Sequence, residues 1–275
     1  MKLEKSVFLK FLWVLLAFLP QYVGAQDKLF NISVGGGFDD LLYTQEMGRR
    51  YVGGNVMLEG QYQQFFSKKL GYAVGLQFSY FAAGCDFKDI FEKSAEGSDV
   101  VFYGSVYEKQ RFLQIDVPVL FNLRHKINLR SHFFFGVGPK LSFPLISKFE
   151  YVTGSLGNGN NINTELLDVS PDRVDEQNEN KWGDIDTEIL IISLSMDVKW
   201  SYAVKNSCIL HIGAYFSYGL NDLVSNHDAQ FGFDNKSILN ATITGKVTTI
   251  CAGLKMGVTF PLQRLRRRSI AYDGF

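Results

Sequence analysis

Residues 190–202 read LIISLSMDVKWSY. Leu190, Ile192, Leu194, Met196, Val198, Trp200 and Tyr202 take every second position, and Ile191, Ser193, Ser195, Asp197, Lys199 and Ser201 fill the places between. Side chains alternate sides along a β-strand, so this stretch has one apolar face and one face of mostly small, polar and charged groups. A helix would scatter the same apolar set around its axis. At 13 residues the segment exceeds the usual strand of a soluble protein, about 5–6 residues, and suits a tilted crossing of a bilayer, about 9–11.

The pattern recurs in both directions, and eight such segments are predicted. Ile250, Ala252, Leu254, Met256, Val258 and Phe260 alternate with Cys251, Gly253, Lys255, Gly257 and Thr259. Leu210, Ile212, Ala214, Phe216 and Tyr218 alternate with His211, Gly213, Tyr215 and Ser217. Upstream, the apolar sets are Phe30/Ile32/Val34/Phe38, Val56/Leu58/Tyr62, Tyr72/Val74/Leu76/Phe78/Tyr80, Leu113/Ile115/Val117/Val119/Phe121/Leu123 and Phe133/Phe135/Val137/Leu141/Phe143. None of these faces contains Asp, Glu, Lys or Arg. The opposite faces carry Glu59, Asp116, Arg124, Lys140, Asp197, Lys199, His211 and Lys255. Arg or Lys facing lipid at the bilayer midplane costs about 2–4 kcal/mol, which assigns the apolar faces to lipid and the charged ones to a lumen. There the acids Glu59, Asp116 and Asp197 can be offset by Lys140, Lys199 and Lys255, as buried charges require.

The connections alternate in length. Ser67–Leu70, Lys126–Arg130 and Lys205–Ser207 are short; Asp39–Val52, Lys88–Val106, Thr153–Thr187 and Asn221–Gly245 are long. Outer-membrane barrels have short periplasmic turns and long outer loops, an order that eight strands with both termini inside produce. Aromatic residues fall near the strand ends, as in interfacial girdles. Phe65, Tyr72, Phe121, Phe133, Trp200, Tyr202 and Phe260 are expected at the inner end; Phe38, Tyr80, Phe143 and Tyr218 are expected at the outer end.

The start of the chain points to export. Lys2, Lys5 and Lys10 form a charged start before an apolar core, 11-FLWVLLAFL-19, and Val23-Gly24-Ala25 offers small residues for cleavage. Residues 1–25 are therefore predicted to be a signal peptide, the apolar run being short of the ~20 residues of a spanning anchor. Residues 26–262 are predicted to form the barrel, and 263–275 a basic tail with Arg264, Arg266, Arg267 and Arg268. A formal charge of +0 gives no basic excess for nucleic acid. Aromatic content of 15% with only 6 Pro suits strands and tight turns.

No catalytic, cofactor or metal constellation emerges. Cys85, Cys208 and Cys251 are far apart and odd in number, with neither metal-ligand nor disulfide-framework spacing. Gly35-Gly36-Gly37 lies inside a strand with no GK[ST] after it, so close backbone packing explains it better than a phosphate loop. His132 and His211 face inward with Ser193, Ser195 and Ser217; the apolar faces carry no His or Ser with an acidic neighbour, and His211 belongs with the lumen polar network. The segment Thr153–Glu188 has nine acidic residues, two basic ones and the run 157-GNGNN-161. A solvated loop explains it; cation bridging or partner binding outside the cell is the functional alternative.

The stretch 112-FLQIDVPVLFNLR-124, with Gly136-Val137-Gly138-Pro139 and the closing 253-GLKMGVTF-260, resembles PorT-like outer-membrane β-barrel proteins of Bacteroidetes-type bacteria. In that family an L-x-I-P strand precedes a G-x-G-P strand. This chain departs from it by an extra residue in Ile115-Asp116-Val117-Pro118 and by the tail beyond Leu262. The resemblance implies a barrel but not a role in protein secretion.

The reading is thus an all-β chain: a transmembrane, antiparallel, up-and-down β-barrel of eight strands in the outer membrane of a Gram-negative envelope. The expected partner is outer-membrane lipid. Headgroups or a periplasmic partner are expected at the basic inner end, around Lys68, Lys69, Arg124, His125, Lys126, Arg130 and Lys205. The expected role is non-enzymatic: envelope integrity or loop-mediated binding. A PorT-like secretion component and a soluble periplasmic barrel binding an apolar ligand are the alternatives.

Overall fold

The computed structural model describes residues 27–43, 49–88, 91–93, 99–101, 105–153, 181–205, 208–225, 237–241 and 245–262. The predicted signal peptide, the basic tail and most of the acidic loop lie outside these residues.

Eight long strands form the wall: β1 (Asp27–Leu42), β3 (Gly53–Phe65), β4 (Leu70–Lys88), β7 (Ser105–Lys126), β8 (Ser131–Thr153), β10 (Ile191–Lys205), β11 (Cys208–Gly219) and β12 (Thr248–Pro261). Each pairs antiparallel with the next, and β12 returns to pair with β1, Phe30 opposite Phe260. The result is a closed eight-stranded barrel with no free edge. Closure satisfies the ladder groups within the sheet, as a bilayer demands. Small additions sit outside this circuit. The strand β2 (Arg49–Tyr51) pairs with β4, β9 (Lys181–Asp184) with β8, and β5 (Phe91–Lys93) with β6 (Asp99–Val101). One helical turn, α1 (Ile238–Ala241), lies in the last long connection.

The two described inner turns form for local reasons. Ser67 Oγ accepts from the amides of Lys69 (3.2 Å) and Leu70 (2.8 Å), and Asn128 Oδ1 accepts from those of Arg130 (2.9 Å) and Ser131 (2.8 Å). Ser and Asn side chains thus replace backbone partners in the tight turns. Both described ends lie on this side, where the Leu262 amide donates to the Lys28 carbonyl at 2.8 Å.

The predicted faces fall as read. Ile32, Val34, Leu58, Leu76, Phe78, Phe121, Leu194, Trp200, Ile212, Leu254 and Met256 are exposed on the outer wall. Their polar neighbours in sequence are buried inside, so the barrel is turned inside out relative to a soluble one. One girdle residue is corrected. Phe65 is fully buried in the lumen, because it shares the inward parity of Glu59, Gln61 and Gln63. It packs on Phe134 at 5.9 Å between ring centroids.

The wall is uneven in height, which the sequence reading did not foresee. Strands β4, β7 and β8 have 19, 22 and 23 residues, against 15, 12 and 14 for β10, β11 and β12. A crossing needs only about 10, so the tall side projects beyond the membrane as a head. Its inner face carries an apolar cluster beside the buried polar side chains of Glu108 and Gln110. Phe81, Ala83, Cys85, Phe112 and Phe149 are buried there against Leu41, Tyr43, Ile185, Ile191, Leu223, Val224, Leu239 and Val247. The predicted outer loops therefore contain strand and core.

Candidate functional site

The lumen is the part of this molecule where charged groups converge. All eight singled-out polar residues, Glu59, Asp116, Arg124, Lys140, Asp197, Lys199, His211 and Lys255, are buried within the barrel. The structure brings five of them together. Lys255 Nζ donates to Asp197 Oδ2 at 2.6 Å and to Glu59 Oε2 at 2.9 Å. Glu59 Oε1 accepts from Gln61 Nε2 at 3.2 Å, and Gln61 Oε1 accepts from Lys199 Nζ at 2.8 Å. The chain continues through Asn31, which donates to Gln61 Oε1 at 3.1 Å and accepts from Thr259 Oγ1 at 2.6 Å.

His211 ends this line. Thr259 Oγ1 already gives its proton to Asn31, so it accepts from His211 Nδ1 at 3.0 Å. That assigns the proton to Nδ1 and leaves Nε2 to accept from Ser33 Oγ at 3.2 Å. The described hydrogen-bond partners of His211 are thus two hydroxyls, which hold the ring in place.

The other three stand apart. Asp116 Oδ2 accepts from Ser79 Oγ at 2.6 Å and Gln77 Nε2 at 3.1 Å. Lys140 Nζ donates to Ser217 Oγ at 3.0 Å. Arg124 lies at the inner mouth, 2.8 Å from Asp27 Oδ2, with its guanidinium 4.2 Å above the Phe65 ring. Arg124 is therefore corrected as a member of the basic inner surface: Asp27 and the Lys68 carbonyl, 3.1 Å from its Nε, hold it inside.

Selecting by charge missed the connecting groups. Asn31, Ser33, Gln61, Gln63, Gln77, Ser79 and Thr259 turn isolated charges into a network, and all share the inward parity of the charged residues. Glycines supply the space. A methyl on Gly35 would come within 2.7 Å of Met57 Cε and 2.9 Å of the Leu254 carbonyl oxygen, and one on Gly257 within 2.8 Å of His211 Nε2. Close approach, as expected for a strand, is what Gly35 provides.

Both mouths are filled. Leu29, Phe65 and Phe134 cluster at the inner end. At the outer end α1 enters from the short side, with Leu239 fully buried in the apolar cluster. Ser237 Oγ donates to Glu108 Oε1 at 2.7 Å, and the Asp186 amide to Asn240 Oδ1 at 3.2 Å. Below this cap Asn55 Nδ2 lies 3.0 Å from Cys251 Sγ, and Tyr215 donates to Asn55 Oδ1. The three cysteines are free thiols. Among the described residues no group of His, Cys, Asp and Glu could hold a metal ion.

A family model described as outer membrane protein beta-barrel domain matches residues 24–225. Among solved structures, Neisserial surface protein A is 12% identical, with 84% of this chain and 96% of that one covered and a TM-score of 0.34. OprG from Pseudomonas aeruginosa is 10% identical, with 86% and 96% covered and a TM-score of 0.37. The outer membrane protease OmpT from Escherichia coli is 8% identical, with 88% and 99% covered and a TM-score of 0.33. No curated protein matches the chain in sequence. With its apolar outer wall, its polar lumen and a family match over most of its length, the chain belongs to the outer membrane protein β-barrel domain family and is located in the outer membrane.

Proposed function

We propose that this barrel has a structural or interaction role in the envelope, without enzymatic activity: a rigid wall that carries an outer head. The observation that carries this reading is the filled lumen. Its interior is cross-linked by the Lys255–Glu59–Asp197 bridge, and apolar clusters occupy both mouths. Eight strands give an interior that side chains can fill, so a diffusion pore has no room here. The outward apolar faces and polar lumen argue equally against a soluble barrel holding an apolar ligand.

His211 supports the non-enzymatic reading, since a general base needs a nucleophile it can deprotonate and a site where substrate can sit. Its partners are the buried hydroxyls of Ser33 and Thr259. The head is the part positioned to meet other molecules. The acidic segment that leaves β8 and returns at β9 belongs to it in sequence and is the natural carrier of loop-mediated binding.

The test is a strain lacking the gene. The account expects increased entry of detergent and large antibiotics, restored by the intact chain but not by one lacking 154–180. An intact permeability barrier together with loss of exported proteins would replace this role by a PorT-like one in secretion. That alternative rests on the resemblance of 112–124 and 136–139. Hydrolytic activity of the purified barrel, abolished by His211→Ala, would overturn the non-enzymatic reading.

A further inference from the structure

The inner rim combines cations with exposed apolar side chains on adjacent turns. The β3–β4 turn carries Phe66, Lys68 and Lys69; the β7–β8 turn carries Lys126, Ile127, Leu129 and Arg130. All seven are exposed or partly so, Ile127 at 55% and Leu129 at 59%. Backbone bonds tie the first turn to the end of β7 and the second to β10. The Arg124 amide donates to the Lys69 carbonyl at 2.7 Å, and the Ala203 amide donates to the Arg130 carbonyl at 2.8 Å.

Two features bear on what this surface meets. First, its charge is one-signed. Neither turn contains an acid, and Asp27 is engaged by the buried Arg124. Second, its apolar members continue the lipid-facing wall. Phe66 packs against Phe121 at 6.5 Å between ring centroids, and Leu123 leads toward Ile127 along the outward side of β7. A turn standing free in the periplasm gains nothing from bare Ile and Leu, whereas a turn seated at the acyl–headgroup boundary buries them while its Lys and Arg side chains reach the phosphates.

We propose that the turns 66–69 and 127–130 form a binding surface for anionic phospholipid headgroups of the inner leaflet. It is an annular lipid site on the β4–β7 sector, and it anchors the barrel's depth and tilt. Lys68, Lys69, Lys126 and Arg130 supply the charge; Phe66, Ile127 and Leu129 supply the apolar seat. Each cation near an anionic surface strengthens the attraction by about fivefold, and the effect fades within a Debye length.

The experiment uses the full chain in nanodiscs of phosphatidylcholine containing a minor fraction of spin-labelled phosphatidylglycerol. Motionally restricted label is compared with the same measurement on spin-labelled phosphatidylcholine. Wild-type barrel is expected to enrich phosphatidylglycerol about fivefold over phosphatidylcholine at low salt. The enrichment falls toward parity at high salt and in a K68Q/K69Q/K126Q/R130Q variant. That variant is expected to match wild type in gel mobility with and without heating, since none of the four side chains enters the lumen. A second variant, Leu129→Ser, retains charge but weakens the seat, lowering enrichment by a smaller factor. Equal enrichment of both lipids by wild type, or unchanged enrichment in the quadruple variant, would overturn the proposal. So would photo-crosslinking from position 129 in native envelopes that captured a protein rather than phospholipid. None of these outcomes depends on the envelope phenotype of the deletion strain.

Discussion

The membrane section of the barrel and the outer head are built from the same strands with opposite rules. In the membrane section of β7, Leu113, Ile115, Phe121 and Leu123 face out, while Gln114, Asp116, Asn122 and Arg124 are buried inside. A few residues further out on the same strand, Lys109 and Arg111 face out, and Phe112 is buried under the cap. The solvent explains the reversal. Lipid is as apolar as leucine, so in the membrane the polar groups are hidden and must find one another. Water surrounds the head, so there the apolar groups gather inward as in any soluble core. Outside the head, Arg111 pairs with Glu150 at 2.8 Å and lies 4.9 Å from the Trp182 ring centroid, contacts a watery surface tolerates.

The contrast can be broken first at Lys255. Lys255→Met removes the cation that hydrogen-bonds both buried acids, Glu59 and Asp197, and removing one partner of a buried pair costs about 3–5 kcal/mol. Urea unfolding of the refolded barrel in micelles should show the loss in the transition of the membrane section. A variant as stable as wild type would mean that the lumen charges are screened by water. Next comes the outer wall. Ile32→Lys puts a cation into the lipid-facing surface and should cost about 2–4 kcal/mol. Lys109→Leu, the reverse exchange on the head's outer face, should stay within about 0.5 kcal/mol.

The cap should show a local effect. Leu239→Ala removes a fully buried side chain from a segment with one helical turn, and a loss of about 2 kcal/mol is expected. The loss should be local. Hydrogen exchange should rise in 237–247 while the barrel strands keep their protection, because the head and the membrane section open separately. Global destabilisation instead would show that the two regions fold as one unit.

The sequence displayed the membrane section well because lipid enforces its rule at every outward position. The 190–202 alternation, the absence of charge from the apolar faces and the sorting of connections by length all depend on that single constraint. At Phe65 two signals compete: aromatic character suggests a girdle, while parity with Glu59, Gln61 and Gln63 puts the side chain in the lumen. The head was harder to see. Glu108 and Gln110 apart, the inward residues of its cluster are apolar like the lipid-facing ones, so alternation dissolves into doublets such as Tyr80-Phe81, Phe112-Leu113 and Ile191-Ile192. Those doublets mark where a strand passes from lipid to water and its lumen side turns apolar. The cap pairs a four-residue turn at 238–241 with partners far away in sequence, and no local period announces that.

For the lumen, the charged residues stood out by position, while their pairing did not. Lys255 could have met any of the acids; strand register puts Glu59 and Asp197 on it and leaves Asp116 to Ser79 and Gln77. The neutral amides of Asn31 and Gln61 were visible as inward-facing, yet only the closed circuit of strands shows that they bridge Lys199 to His211.

The most direct test of the two-rule account is a nitroxide scan along β7, from Lys109 to Leu123, in lipid bilayers and in a background free of cysteine. Collision with oxygen reports lipid, and collision with a water-soluble nickel complex reports solvent. The account predicts oxygen contact at 113, 115, 117, 119, 121 and 123, nickel contact at 109 and 111, and protection from both at the even positions between. Oxygen contact at the even positions, or one uniform pattern from 109 to 123, would contradict it.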